Sequence, residues 1–293
     1  MPEHGSPSVR RRRLAAELRR LRERAGFIGE EVAGRLGWSG SKLSRIETSK
    51  AGVKQDDLLR LLDLYGVSDP HREELLALAR ESARARALVV DEAAIASFPT
   101  GYAAFVDAEA AAIRRWDWEP QVVPGLLQTE SYAREVMRGW YSMFNLPPTE
   151  LELRVEARIA RQQVLNRDQP LDLTVVIDES VIRRRFGSNS TMRQQFDRLV
   201  ESSDIPNVQI HVLPLDGDHP IGTGAFTYMW FAREYDIQFP DIVYVERLNG
   251  DYSIEEATET NKYRVTFERL KERALDPARS RALIVAAARE MWS

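Results

Sequence analysis

Cysteine is absent from the 293 residues. Disulfides, zinc–thiolate sites and a cysteine nucleophile are therefore excluded, which suits a reducing interior. Long apolar runs are lacking as well, none approaching the roughly 18 residues of a membrane span. The opening stretch "MPEHGSPSVRRRRL" has basic residues with no apolar core behind them, so no secretory signal is expected and the cytoplasm is the expected location. Internal repeats and long low-complexity segments are also missing, so repeat architectures are not anticipated.

What is present is enough chain for about two domains, at roughly 150 residues each. The net charge of -4 is unevenly spread. Residues 1–66 hold 14 Lys and Arg against 9 Asp and Glu, net +5, while the remainder holds 27 against 36, net -9. A basic head on an acidic body implies that only the head meets a polyanion. On charge alone, a solvated Arg-rich helix is an equal explanation.

Residues 1–9 contain Pro, Gly and Ser without periodicity and read as a disordered arm. "RRRLAAELRRLRERAG" then places Leu14, Leu18 and Leu21 on one face with Arg opposite, and stops at Gly26. "GEEVAGRLG", "SGSKLSRIETS", "QDDLLRLLDLYG" and "DPHREELLALARESARARAL" follow as further short helices. Five helices joined by tight turns over residues 10–85 predict a compact all-helical unit. Pro99 and Gly101 mark a linker over 86–101.

Over residues 102–293 the pattern predicts an α+β or mixed α/β domain. Helices are expected at Tyr102 to Trp118, at Pro124 to Trp140 with Pro124 in the first helical position, and at Thr149 to Asn166. Strands are expected in "LDLTVVID", "VQIHVLPL", "AFTYMWFA" and "DIVYVERL", rich in β-branched and aromatic residues. Helical "ESVIRRRF" and "TMRQQFDRLVESS" lie between the first two strands, a βαβ crossover favouring parallel pairing. The later two strands are expected to pair antiparallel through the link at Tyr235 to Pro240, and helices at Ile254 to Ala274 and Pro277 to Trp292 close the chain.

The stretch "GWSGSKLSRIETSK", Gly37 to Lys50, carries the chemistry. Two short helices around a Gly-containing turn, with Val32, Ala33, Leu36, Leu43 and Ile46 inward, have the arrangement of a helix-turn-helix, whose second helix lies in the DNA major groove. Ser39 is expected to cap that helix. Its free amides, with Ser41 and Lys42, would then face phosphates and bases, and the small Gly40 permits close approach. Arg45, about one turn beyond Ser41, suits a bidentate contact to guanine. Ser44 is near enough to help, and Lys50 and Lys54 sit where backbone phosphate would pass.

"LRRLRERAG…EEVAGRLGWSGSKLSRIETSK" resembles the xenobiotic-response-element class of bacterial regulators, related to the phage repressor and Cro DNA-binding domain. The resemblance implies five helices over roughly residues 10–80, with Ser39 to Lys42 and Arg45 at base- and phosphate-contacting positions and Glu47 at a structural one. Two departures are visible. Ile28 and Gly29 stand where that class opens its second helix with a small hydroxyl residue and a phosphate-clamping Gln, and Gly40 removes a side chain from a position that often reads bases. Further segments, among them "VVPGLLQTESYAREVM", "RVEARIARQQVL", "VVIDESVIRR" and "NVQIHVLPLDGDH", resemble in order and spacing the large C-terminal domain of antitoxin-like transcriptional regulators. Those regulators are often encoded beside a small acidic partner protein, and the resemblance implies no established activity for that domain.

Other candidates have a functional and a plainer reading. "VPGLLQTESYA" suits a pocket floor near Trp116 and Trp118, or a helix start packed by two aromatics. Asp178 and Glu179 suit acid–base work less than helix capping by Asp178. His211 and His219 make a weak metal pair. Arg158 and Arg161, with Gln162, suit an acidic ligand or internal pairing with Glu109 or Glu179. Tyr228, Trp230 and Phe231 read as sheet core, and Arg10 to Arg13 as phosphate contacts or as a soluble arm.

The sequence therefore predicts a multidomain, non-enzymatic, sequence-specific DNA-binding regulator. Its DNA-contacting residues are expected to be Ser39, Gly40, Ser41, Lys42, Ser44, Arg45 and Lys50. No cofactor or metal is expected; the expected partners are double-stranded DNA, a second copy in a homodimer and a small acidic protein. The alternative is a repressor gated by a small molecule in the C-terminal domain.

Overall fold

The computed structural model describes residues 9–88, 102–144, 148–216, 219, 222–233, 239–246 and 252–291. The chain divides into two compact units, one formed by residues 1–91 with 232–239 and the other by the rest. The expected arm up to residue 8, the linker residues 89–101 with Pro99 and Gly101, and most of the link at Tyr235 to Pro240 lie outside the described residues. Among the described residues no helix is long and apolar enough to cross a membrane.

The first unit, the head, holds α1 (Val9–Arg24), α2 (Gly29–Leu36), α3 (Gly40–Glu47), α4 (Gln55–Leu64) and α5 (Asp69–Leu88). α1 begins at Val9 and α5 runs on to Leu88, past the residue-85 limit read from the sequence. Leu14, Leu18 and Leu21 of α1 fall on one stripe and are buried with Val32, Leu43, Ile46, Leu58, Leu61, Leu62 and Leu75. Each such side chain contributes about 1.5–3 kcal/mol when fully buried. Polar ties fix the helices on that core. Arg22 forks onto Glu47, Nε to Oε1 at 2.8 Å and Nη2 to Oε2 at 3.0 Å, joining α1 to α3. The fully buried Glu17 accepts from both nitrogens of the Arg20 fork and lies 2.9 Å from His71 Nε2, joining α1 to α5. Arg13, of the Arg10 to Arg13 run expected to contact phosphate or to keep an arm soluble, is buried, and its Nη2 donates to the Ala232 carbonyl at 2.9 Å.

The second unit, the body, holds α6 (Tyr102–Ala111), β1 (Arg114–Glu119), a 3₁₀ turn (Gly125–Leu127), α7 (Glu130–Phe144) and α8 (Pro148–Arg161). A second 3₁₀ turn (Gln162–Leu165), β2 (Asp172–Asp178), α9 (Glu179–Arg183), α10 (Asn189–Ser202) and β3 (Val208–Leu213) follow. β4 (Phe226–Trp230), β5 (Ile242–Val245), β6 (Tyr252–Ile254), α11 (Ala257–Arg273) and α12 (Pro277–Met291) complete it. The sheet order is β3-β2-β1-β4-β5-β6. β1, β2 and β3 are parallel, and β4, β5 and β6 continue antiparallel. The parallel pairing of "LDLTVVID" with "VQIHVLPL" and the antiparallel pairing of the later two strands are as the sequence implies.

Three expectations are corrected. The helix expected over Tyr102 to Trp118 ends at Ala111, and Arg114–Glu119 is a central strand. Its alternation puts Trp116 and Trp118 against Phe267 and Leu270 of α11 on one face, and Arg115, Asp117 and Glu119 on the other. The helix expected from Pro124 instead breaks into the 3₁₀ turn and α7. The fully buried Gln195 of α10 explains the break: its Nε2 donates to the Leu127 carbonyl and its Oε1 accepts from Thr129 N–H, both at 2.8 Å. A distant side chain thus satisfies backbone groups that a continuous helix would have satisfied itself. Finally, Ile254 belongs to the edge strand β6, and Glu256 caps α11 by accepting from Thr258 N–H and Glu259 N–H.

Candidate functional site

In the head, α2 closes on Gly37, whose φ of 67° is the left-handed conformation that glycine adopts without a Cβ penalty. Trp38 N–H returns to the Ala33 carbonyl at 2.8 Å. The chain is then extended at Ser39, whose hydroxyl accepts from Lys42 N–H at 3.3 Å as the cap of α3. Leu43 and Ile46 enter the core, so the opposite face is left to Ser41, Ser44 and Arg45, all exposed. Ser41 Oγ lies 3.0 Å from Ser39 Oγ. A Cβ on Gly40 would meet nothing within 4 Å, so the head's own packing does not require a glycine there.

The basic groups of this edge differ in how committed they are. Lys42 Nζ sits 2.8 Å from Asp57 Oδ2 and 3.9 Å from the centre of the Trp38 ring. Among the described residues Arg45 and Lys50 are exposed and have no ion-pair partner. Glu47 is turned inward to Arg22. At the start of α2, Ile28 is 60% exposed, and its N–H is accepted by the Glu31 carboxylate at 3.1 Å, so no side-chain amide occupies the clamp position. Sequence reasoning missed Trp38 as the ring that seats Lys42, and Arg60, which donates to the Leu36 carbonyl at 2.6 Å and closes α2. A lone aromatic in a turn was the only available signal for the first.

In the body, Asp178 caps α9 by accepting from Ser180 N–H at 2.8 Å. Glu179 accepts from Arg183 and from Leu215 N–H. His211 is buried against the Leu275 carbonyl at 2.9 Å, and its burial lowers the ring's proton affinity. His219 is exposed, 3.8 Å from Asp178. Tyr228 and Phe231 are buried, and Tyr228 packs with Trp230 and Trp116.

Arg158 and Arg161 separate. Arg161 forks onto Glu109 with both contacts at 2.7 Å, while Glu109 also accepts from Arg115, which in turn holds Asp117 at 2.8 Å. Burial pushes the Glu109 carboxyl up, but Arg161 and Arg115 outweigh it and hold the group below the ordinary carboxylate range. These four groups are buried and mutually neutral. Beside them opens a small cleft of about 80 Å³, continuous with solvent, walled by Tyr102, Phe105, Phe226 and Tyr244 and reached by Arg158, Glu119 and Glu246. Gln162 secures its rim by donating to the Gly125 and Gln128 carbonyls.

Inside the cleft Arg158 Nη1 donates to Gln128 Oε1 at 3.1 Å, and its buried Nε meets no acceptor among the described residues. Glu119 has no hydrogen-bond donor there either. Its burial, then the nearby charges of Asp117 and Glu246, push its carboxyl well above the ordinary value.

Residues 13–75 match the family of helix-turn-helix domains. Residues 102–286 match the domain of unknown function DUF5753. No curated protein and no solved structure matches the chain. Because the second match spans more than half of the sequence, and the head shows two short helices about a left-handed glycine, the chain belongs to the DUF5753 family and carries a helix-turn-helix domain ahead of that region.

Proposed function

We propose that the chain is a sequence-specific, DNA-binding transcriptional regulator of the xenobiotic-response-element type, antitoxin-like, working in the cytoplasm and on the nucleoid. The observation that carries this reading is the outer face of α3, where a free Arg45 stands beside Ser41 and Ser44 behind a cap that leaves helix amides pointing outward. Ser39, Gly40 and Ser41 supply the close approach, Arg45 the base contact, and Lys42 and Lys50 the phosphate contacts. The regulator acts as a homodimer on half-sites about 34 Å apart, since one such head buries little surface. Genome-wide mapping of its binding sites supplies an operator for the test. With that duplex, Arg45→Ala costs about 1–3 kcal/mol of preference over random DNA and spares weak, salt-dependent binding. An unchanged preference would remove Arg45 as the reader.

The body controls the head and has no enzymatic role. Docking of a small acidic protein encoded by an adjacent gene is one form of control, tested by co-purification. A second form, gating by a small molecule, is favoured by the cleft, where Arg158 has no carboxylate partner and an Nε without an acceptor, and Glu119 has no donor, among the described residues.

A further inference from the structure

The charges of the cleft are unequally committed. Arg115, Arg161, Glu109 and Asp117 neutralise one another behind its wall. Arg158, Glu119 and Glu246 remain. No carboxylate is within ion-pair reach of Arg158 among the described residues, and Nε is buried without an acceptor. Neither Glu119 nor Glu246 has a donor or cation in contact there. Between these groups lie flat rings, with Phe105 stacked on Tyr244 at 4.1 Å between ring centres.

A half-buried guanidinium and a half-buried carboxyl that pair neither with each other nor with another opposite charge are costly unless something supplies the missing partners. A ligand bearing only a carboxylate would satisfy Arg158 and leave Glu119 and Glu246 facing an added negative charge. A ligand bearing only an ammonium would leave Arg158 unmet. We infer that the cleft binds a small zwitterion of the amino-acid class, its carboxylate on Arg158, its ammonium on Glu119 and Glu246, and an apolar side chain against the rings of Tyr102, Phe105 and Tyr244. This rests on the small-molecule reading of the body and names the chemistry that reading leaves open.

The test uses the full chain and a panel of probes: the proteinogenic α-amino acids and the straight-chain ω-amino acids, each also as its N-acetyl and carboxamide derivative. Thermal shift ranks the probes and titration calorimetry measures the best. At least one free zwitterion binds, and either derivative of it binds about 10- to 100-fold more weakly, the effect of losing one hydrogen bond to a charged group. Arg158→Met removes the penalty for the carboxamide, Glu119→Gln reduces the penalty for N-acetylation while Glu246 remains, and Arg158→Lys keeps part of the carboxylate preference. Far-UV circular dichroism verifies that each variant is folded. The inference is overturned if no zwitterion binds at millimolar concentration, or if the best one is indifferent to both derivatives and to Arg158→Met and Glu119→Gln. Binding of the N-acetyl acids alone, dependent on Arg158, would also overturn it while leaving small-molecule control of the body standing.

Discussion

Glu109→Gln is the most informative single change in the body. The side chain keeps its volume and loses its charge in a place where Glu109 is 1% exposed and Arg161 9%. Asp117 remains in contact with Arg115, but Arg161 is left with the Tyr102 hydroxyl at 3.1 Å and the faces of Tyr102 and Phe105. One buried cation is then uncompensated. At an effective dielectric of about 20, two unit charges about 4 Å apart are worth about 4 kcal/mol, and removal of one partner from buried pairs typically costs about 3–5 kcal/mol. For a unit of roughly 150–250 residues each kcal/mol moves the melting temperature by about 2–4 °C, so calorimetry should register a fall of about 6–20 °C in the body's transition.

The pH dependence has a definite sign. Because Glu109 titrates below its unfolded value of about 4.3, its stabilisation is present above that value and is lost as pH falls through the folded one. The gap between wild type and variant therefore closes in acid. Adding Arg161→Gln to the variant removes the orphaned cation and recovers much of the loss. A fall of less than about 2 °C, or a double variant no better than the single one, would refute the claim that this ion cluster holds α6, β1 and α8 together.

Two other substitutions probe the head and the cleft. Ser39→Ala removes the acceptor for Lys42 N–H and should cost about 1 kcal/mol, a drop of about 4–8 °C in the head's transition; a shift under about 1 °C would mean that solvent caps α3 equally well. Glu119→Gln should raise the body's melting temperature at pH 7. Its carboxyl holds its proton above the ordinary range, so the stability it contributes is full below about pH 4.3 and fades as pH rises toward the folded value; wild type and variant should converge near pH 4. A variant less stable at pH 7 would show that Glu119 has a structural partner.

The head was legible because its apolar positions repeat at helical spacing. Leu14, Leu18 and Leu21 are buried together, and Gly37 and Ser39 punctuate α2 and α3 as turn chemistry dictates. Much of the body was legible too, since β2 to β5 are dense in β-branched and aromatic residues. β1 was obscured for the same physical reason that makes it interesting: Arg115 and Asp117 are interior, and their charge looks like surface until Glu109 and Arg161 are placed beside them. The break at Gln128 depends on Gln195, a partner that no local window contains. Arg158 and Arg161 stand together on one helical face and the Pro124 motif stands apart from them in sequence, but that they share one cleft with Glu119 follows only from the order of strands in the sheet.

Lys42 begins already matched, with Asp57 on one side and the Trp38 ring beneath it. When the head meets a duplex, a phosphate that recruits Lys42 must strip it from Asp57, and the abandoned aspartate gathers a cation from solution. One counterion leaves the nucleic acid while another is taken up by the protein. The slope of log affinity against log salt should then be shallower, by about one ion, than a tally of basic side chains on that face would give.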